Sequence, residues 1–369
     1  MDVNQRGEYL AKLAKVRAYL DSNGDSAAIL GRRDNFSWIT SGGNNTVVSS
    51  SELGFGFLVI KMEQVYLVAH RMDAQRIYDD ELLGTEIELV SLAWHEATKE
   101  ATAIALAGKG SLVSDFPLLG AREDQEAITS LHYPLSDREI ELAKSLASDS
   151  ERIIRKVADQ LDPGMSEREA ANMLAGDYSR AGIAIEVLLV GGIERLSRYR
   201  HPVPSAQPLG STVLLHPAVV RGGIHANITR MVQLGAPLSA ELEDKYRLLC
   251  QLQATTLQMC LPGREFSEIF RRRRELLEEG GYPDEWENHF PGGPTGYVLA
   301  RGDWGAKAGL RVSDGQLFDW FITVTGAKVE ELTVTHQGRR EILSQAGHWP
   351  TKPFTAEGLT LDVPWILER

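Results

Sequence analysis

The stretch HPVPSAQPLGSTVLLHPAVVRGGIHANITRMVQL, residues 201–234, decides the fold. Residues 212–220 form an apolar, β-branched run, and residues 224–234 alternate between apolar and polar types. Between the two runs lie Arg221, Gly222 and Gly223, which are the residue types of a tight turn. The pattern predicts a β-hairpin.

Alternation along the second strand of this hairpin predicts one polar face. Successive side chains of a strand point to opposite faces, so His225, Asn227 and Thr229 share one face and apolar residues share the other. On the first strand His216 interrupts an otherwise aliphatic run. We therefore expect His216, His225 and Asn227 to form a common surface, which is the candidate active site. The alternative is a solvent-exposed sheet face without function.

Length, charge and composition limit the class of protein. A chain of 369 residues with 43% hydrophobic and 24% charged residues is typical of a soluble globular protein with two domains. The net charge of −12 argues against nucleic acid or an anionic membrane as partner. The N-terminus lacks an apolar signal core, and only Cys250 and Cys260 are present, so we expect a cytoplasmic protein without structural zinc or disulfide.

Strand and helix patterns alternate in the first third of the chain, which predicts a small α/β domain over residues 1–133. The expected elements are helices over residues 4–23 and 95–106, strands over residues 27–30, 55–60, 64–69, 87–92 and 110–114, and a loop over residues 32–43.

An internal repeat of about 100 residues organises the rest of the chain. Leu135-Ser136 recurs as Leu238-Ser239, Pro163-Gly164 as Pro262-Gly263, and Gly191-Gly192 as Gly292-Gly293. Each copy reads helix, helix, strand and hairpin, with the hairpins at residues 212–234 and 316–344. The motifs at Ser136 and Ser166 are capping boxes that begin helices. We expect the two hairpins to form one sheet, backed by helices, with a pocket between the halves.

Several motifs then resemble a known family. They are Arg200-His201-Pro202, Ile228-Thr229-Arg230, the run from His289 to Tyr297, and the run from Gly326 to Glu331. The chain resembles the creatinase and Xaa-Pro peptidase superfamily over nearly its whole length. The resemblance implies an α+β protein with a creatinase-like accessory and dimerisation domain at residues 1–133. A pita-bread catalytic domain would follow at residues 134–369, and homodimers would form through the accessory domain.

The departures from the family pattern concern its metal site. The peptidases of this family bind two divalent metals with two Asp, one His and two Glu. Here His216 and Asn227 stand at the positions of the two Asp, and no acid stands at the first Glu unless Asp319 shifts register. His289 and Glu330 match the His and the last Glu. Neutral amides cannot bridge paired ions, so we expect no metal cofactor. A mononuclear site of His216, His225 and His289 is the alternative.

Roles for individual residues follow partly from the resemblance. His201 matches the histidine that handles the substrate proton in creatinase-like members, and His289 and Glu330 complete the expected catalytic set. Glu330 and Glu331 alternate, so only one of them can face the pocket, and the resemblance selects Glu330. The expected substrate-binding residues are His216, His225, Asn227 and Tyr297. Weaker expectations are a structural role for Arg230 and a site role for His336.

These observations predict a metal-independent hydrolase that acts on a C–N bond of a small molecule. An amidine, a cyclic amide or a short imino-acid compound would suit such a site. The alternatives are an Xaa-Pro peptidase with a modified metal site, a lyase or isomerase, and a ligand-binding pseudoenzyme. A dinucleotide-binding site and a serine hydrolase are disfavoured because their glycine-rich and nucleophile motifs are missing from the sequence.

Overall fold

The computed structural model describes residues 3–82, 84–300 and 309–369. The chain divides into two compact units, Met1–Tyr133 and Pro134–Arg369. No helix in these described ranges combines the length and apolar composition that crossing a membrane requires.

The first unit is built on one six-stranded sheet. The strand order is β4-β3-β2-β1-β5-β6, and β1 pairs antiparallel with β2 but parallel with β5. Its elements are α1 (Val3–Asn23), β1 (Ala27–Arg32), α2 (Arg33–Ile39), β2 (Leu53–Lys61), β3 (Val65–His70), α3 (Arg71–Glu81), β4 (Ile87–Leu92), α4 (Lys99–Ala107), β5 (Leu112–Ser114), β6 (Arg122–Glu123) and α5 (Gln125–Ser130).

Helix α2 lies where the sequence predicted a loop. The polar residues of this stretch form hydrogen bonds within the protein. Thr40 Oγ1 donates to the carbonyl of Phe36 at 2.6 Å, and Asn35 donates to Asp115 at 2.8 Å. Phe36 and Trp38 are fully buried, and burial of two aromatic side chains outweighs weak helix propensity. Helix α4 begins at Lys99 instead of His95 because Thr98 caps the backbone N–H of Ala101.

The second unit contains the repeat, and the expected element order is present twice. Its elements are α6 (Asp137–Ala158), α7 (Glu167–Arg180), β7 (Ala184–Gly192), α8 (Ile193–Leu196), β8 (Thr212–Arg221), β9 (Ile224–Asn227), β10 (Arg230–Gln233), α9 (Ala240–Met259), α10 (Phe266–Glu279), α11 (Glu285–Asn288), β11 (Gly292–Thr295), β12 (Gln316–Val324), β13 (Ala327–His336), β14 (Arg339–Ile342), β15 (Thr351–Ala356), β16 (Leu359–Pro364) and β17 (Leu367–Glu368). Both capping boxes form as predicted, at the starts of α6 and α7.

The central hairpin also forms as predicted. Gly222 and Gly223 have φ angles of 56° and 79°, and two successive residues with positive φ make the turn that matches strand twist. The register places Arg221 opposite Ile224, Ala218 opposite Asn227 and Leu215 opposite Arg230. One continuous register therefore spans β9 and β10.

The expectation of one sheet from both hairpins was wrong. Strands β7 to β10 belong to one sheet and strands β11 to β14 to another. The two sheets meet at an isolated bridge, where the N–H of Thr229 donates to the carbonyl of Glu330 at 3.3 Å. The ladder to β8 is interrupted at Ile228 and Thr229, because Pro217 has no N–H to donate to Ile228.

A buried network of ion pairs around Arg230 stabilises this junction. Arg230 is fully buried and donates to Glu331 at 2.8 Å and to Glu151 at 3.1 Å. The same guanidinium donates to the carbonyl of Ser344 at 2.7 Å. This network confirms the expected structural role of Arg230, and it ties α6 to the strands of both sheets.

We predict that Arg230→Met lowers the free energy of unfolding by about 3–5 kcal/mol, because Glu151 and Glu331 would remain buried without their cation. Denaturant unfolding followed by circular dichroism measures the change. Arg274→Met is the control, since Arg274 is exposed and pairs with Glu278 on the same helix, and it should cost less than about 1 kcal/mol. Equal effects of the two variants would contradict the structural role of Arg230.

Candidate active site

The polar face of the central hairpin is buried. His216, His225 and Asn227 are only 5%, 7% and 5% exposed, so the alternative of a solvent-exposed sheet face was wrong. The strand register sets His216 opposite Thr229, and His216 Nδ1 lies 3.0 Å from Thr229 Oγ1. Buried polar groups need partners, and these residues find theirs on the opposite sheet.

Glu330 is the centre of these contacts. Three donors converge on its Oε2 atom, namely Thr229 Oγ1 at 2.5 Å, His216 Nδ1 at 2.5 Å and Lys328 Nζ at 3.0 Å. The neighbouring Glu331 points to the other face of β13 and pairs with Arg230. The structure therefore places Glu330 with the hairpin residues and Glu331 in the structural network.

A second pair lies beside this one. Asn227 Nδ2 donates to Asp319 Oδ2 at 2.6 Å. Phe321 lies opposite Glu330 in the β12–β13 ladder, so Asp319, two residues earlier, faces the same side as Glu330. Asn227 Oδ1 and Asp319 Oδ1 are buried and lack a hydrogen-bond partner within the described part of the chain. These two oxygens can therefore accept or share a hydrogen bond with a ligand.

His201 and His289 form the more exposed part of the cluster. Their Nε2 atoms lie 3.1 Å apart and their rings meet edge to face. His289 Nδ1 lies 2.7 Å from the carbonyl of Phe290, so that nitrogen carries the proton. His289 Nε2 must then accept from His201 Nε2–H, which leaves His201 Nδ1 as the unprotonated nitrogen.

The loop that carries His201 is anchored on both sides. Arg200 forms an ion pair with Glu285 of α11, and Glu285 also accepts from the backbone N–H of Thr325 at 2.8 Å. On the other side the buried Glu167 accepts from the backbone N–H of Ser205 at 3.0 Å. Helix α11 leads directly to His289, so the Arg200–Glu285 pair fixes the two histidines relative to each other.

Lys328 was missed by the sequence analysis. It lies on β13 two residues before Glu330, is 3% exposed, and its Nζ lies 5.0 Å from the centroid of the Phe321 ring. Its position on the same face as Glu330 follows from strand alternation, so the sequence contained this signal. The sequence analysis named Asp319 only as an acid that a register shift would bring to the first Glu position, because its face depends on the register of β12.

The charges in the cluster shift several pKa values. Burial and then the Lys328 charge lower the pKa of His289 to about 4, and the same causes lower the pKa of His201. Burial raises the pKa of Asp319 well above its usual range, and the negative charge of Glu330 adds to this. Burial opposes ionisation of Glu330, but the donors His216 and Lys328 outweigh it and hold its pKa well below the usual range.

Three predicted site residues have partners outside this cluster. His225 Nδ1 lies 2.9 Å from the carbonyl of Gly296, and Tyr297 donates its hydroxyl to Glu139 at 2.7 Å. His336 pairs with Asp137 at 2.8 Å. Within the described residues, no group of three or more His, Cys, Asp or Glu side chains is arranged to hold a metal ion, so the mononuclear site of His216, His225 and His289 is not assembled there.

Gly292 allows β11 to pack closely against β12. Its φ is +81°, and a Cβ atom there would lie 2.0 Å from the carbonyl oxygen of Asp319. Glycine is required because β11 pairs closely with β12 at this point. A small cavity lies beyond it, against His289, and its lining includes Arg273, Phe290 and Phe321.

Comparisons with known proteins agree with this architecture. Residues 141–318 match the model of metallopeptidase family M24. The Xaa-Pro dipeptidase of Pyrococcus furiosus is 19% identical over 284 residues, which cover 74% of this chain and 78% of that protein. The structure of dipeptidase PepE from Mycobacterium ulcerans superposes with a TM-score of 0.76 at 17% identity, over 93% of this chain and 97% of the other.

A further similar structure is the N-terminal domain of the FACT complex subunit SPT16 from Eremothecium gossypii. Its TM-score is 0.65 at 11% identity, over 93% of this chain and 97% of the other. The chain thus has the pita-bread fold of these structures, and residues 141–318 are similar to metallopeptidase family M24.

The family description implies divalent metals, but the residues present do not fit a pair of such ions. The described part of the cluster has two acids, Asp319 and Glu330, and the side chain of Asn227 is a neutral amide that donates an N–H to Asp319. Lys328 Nζ, itself a cation, lies 3.0 Å from Glu330 Oε2. Bridging two divalent ions requires anionic oxygens that this donor set does not supply.

We predict that Lys328→Met raises the pKa values of His201 and His289 toward the ordinary value of about 6.5, because the Lys328 charge lowers both. A pH titration of the imidazole nitrogens by long-range ¹H–¹⁵N NMR measures this. Lys352→Met, which removes a lysine that packs on Trp365, should leave both values unchanged. Unchanged values in Lys328→Met would contradict the geometry described above.

Proposed function

We propose that the protein is a metal-independent hydrolase that cleaves a C–N bond of a small molecule, such as an amidine, a cyclic amide or a short imino-acid compound. The observation that carries this proposal is the His201–His289 pair, whose Nε2 atoms are 3.1 Å apart. The pair leaves the Nδ1 atom of His201 as a free base at the more exposed edge of the cluster. Imidazole is well suited to such proton transfer near neutral pH.

His201 Nδ1 takes a proton from water, and the water oxygen adds to the substrate carbon. The C–N bond then breaks, and His201 returns the proton to the departing nitrogen. Water is consumed, and the products are an amine and the corresponding carbonyl compound. The lowered pKa of His201 keeps its imidazole neutral at pH 7, so the base is ready before the substrate binds.

His289 holds His201 in the required tautomer. Its Nδ1–H is engaged by the Phe290 carbonyl, and its pKa of about 4 keeps it an acceptor. If His289 were protonated, it could no longer accept from His201. His289 therefore acts as a positioning residue for the proton shuttle.

The inner part of the cluster suits a substrate with polar nitrogen and oxygen atoms. Asn227 Oδ1 can accept an N–H of the substrate, because it is buried and without a partner among the described residues. The ammonium of Lys328 can stabilise negative charge that develops on a substrate oxygen or nitrogen. Glu330 Oε2 holds that ammonium at 3.0 Å, and His216 Nδ1 in turn contacts the same oxygen at 2.5 Å.

Two other functions have specific support. An Xaa-Pro peptidase with a modified metal site is favoured by the similarity to the Pyrococcus furiosus dipeptidase. A ligand-binding module is favoured by the similarity to SPT16, a subunit of a complex, and by the near-complete burial of Asp319 and Glu330. A lyase or isomerase would use the same proton shuttle without consuming water. Homodimer formation and a cytoplasmic location stay predictions.

A substrate screen separates these functions. The full chain is tested with guanidino compounds, lactams and Xaa-Pro dipeptides, with excess chelator and then with added Mn²⁺. Turnover that survives the chelator and incorporates ¹⁸O from water supports the proposal. Three outcomes would contradict it. Turnover only with Mn²⁺ indicates a peptidase with a modified metal site, and turnover without ¹⁸O indicates a lyase or isomerase. Tight binding without turnover indicates a ligand-binding module.

For a substrate found in this way we predict that His201→Ala lowers kcat by at least about 100-fold, because the general base is lost. Steady-state kinetics measures this in chelator. The control is His348→Ala, which removes an exposed histidine from the same unit and should leave kcat unchanged. Full activity of His201→Ala would contradict the proton-shuttle role.

A further inference from the structure

The position of Lys328 at the junction of the two sheets calls for a functional explanation. A lysine side chain that is 3% exposed is costly unless its charge is paired. Its ammonium is paired with Glu330 Oε2 at 3.0 Å and lies against the ring of Phe321. It is therefore held inside the cluster of Glu330, Asp319 and the histidines, where it acts on each of them electrostatically.

The charges of this cluster balance without any added ion. Glu330 carries one negative charge and Lys328 carries one positive charge. A divalent cation would add further positive charge to a buried site in which Glu330 already has a cation beside it.

The geometry leads to the same conclusion. A divalent ion bound to Glu330 Oε2 would lie about 2.0–2.2 Å from that oxygen. The ammonium of Lys328 lies 3.0 Å from the same atom, so the two cations would be at most about 5 Å apart in a buried site. Oε2 already accepts from Thr229 and His216, so an ion would also have to displace these donors.

We infer that the Lys328 ammonium takes the place of the divalent ions that the family description implies, and that it keeps such ions out of the cluster. Lys328 is thus a tethered cation beside the Glu330 carboxylate. The inference concerns cation binding alone, so it can be tested without a substrate and stands or falls separately from the proposed hydrolysis.

Titration of the full chain with MnCl₂ tests this inference by calorimetry at neutral pH. Lys328→Met keeps the length of the side chain but removes its charge, and we expect it to bind Mn²⁺ at least about tenfold more tightly than the wild type. Lys328→Arg keeps the charge and should behave as the wild type. In the double variant Lys328→Met with Glu330→Gln the gained binding should be lost, because the anionic ligand is removed.

Two results would overturn the inference. One is Mn²⁺ binding that is no tighter in a folded Lys328→Met variant than in the wild type. The other is tight binding by the wild type that Glu330→Gln abolishes, since that would show an ion bound beside Lys328. The second comparison needs no Lys328 variant, so it decides the matter even if Lys328→Met does not fold, and circular dichroism checks folding in each case.

Discussion

The convergence of three donors on one oxygen of Glu330 is the interaction on which the site depends. It occurs where Thr229 of the first sheet bridges Glu330 of the second, so backbone and side-chain contacts join the two halves of the repeat at the same residues. A buried carboxylate needs compensation for lost hydration, and here His216 and Lys328 supply it. The chemistry of the cluster follows from how the negative charge of Glu330 is compensated.

Around that charge the fold arranges groups with different protonation states. Burial and the charge of Glu330 raise the pKa of Asp319, while burial and the charge of Lys328 lower the pKa values of the histidines at the exposed edge. The separation of acid and base in one small volume is the usual requirement for proton transfer at neutral pH. The Arg200–Glu285 pair then holds the two histidine segments together, although they come from different halves of the repeat.

Much of this could be predicted from the sequence, and the misses have physical causes. The hairpin, the capping boxes, the repeat and the shared face of His216 and Asn227 all follow from local patterns, because turn chemistry and alternation are local. Asp319 depends on the register between β12 and β13, which no short pattern reports, whereas the place of Lys328 beside Glu330 follows from alternation along β13. The division into two sheets depends on long-range strand pairing, and helix α2 depends on burial of its aromatic residues.

The central claim is that the charge of Glu330 is compensated by the protein's own donors and not by metal ions. Anomalous diffraction from crystals of the wild-type protein soaked in MnCl₂ tests it most directly, because the anomalous signal of manganese reveals bound ions without a model of the site. If the protein's own donors compensate Glu330, no anomalous peak should appear within bonding distance of Glu330 and Asp319. Two peaks bridged by the Glu330 carboxylate would contradict it.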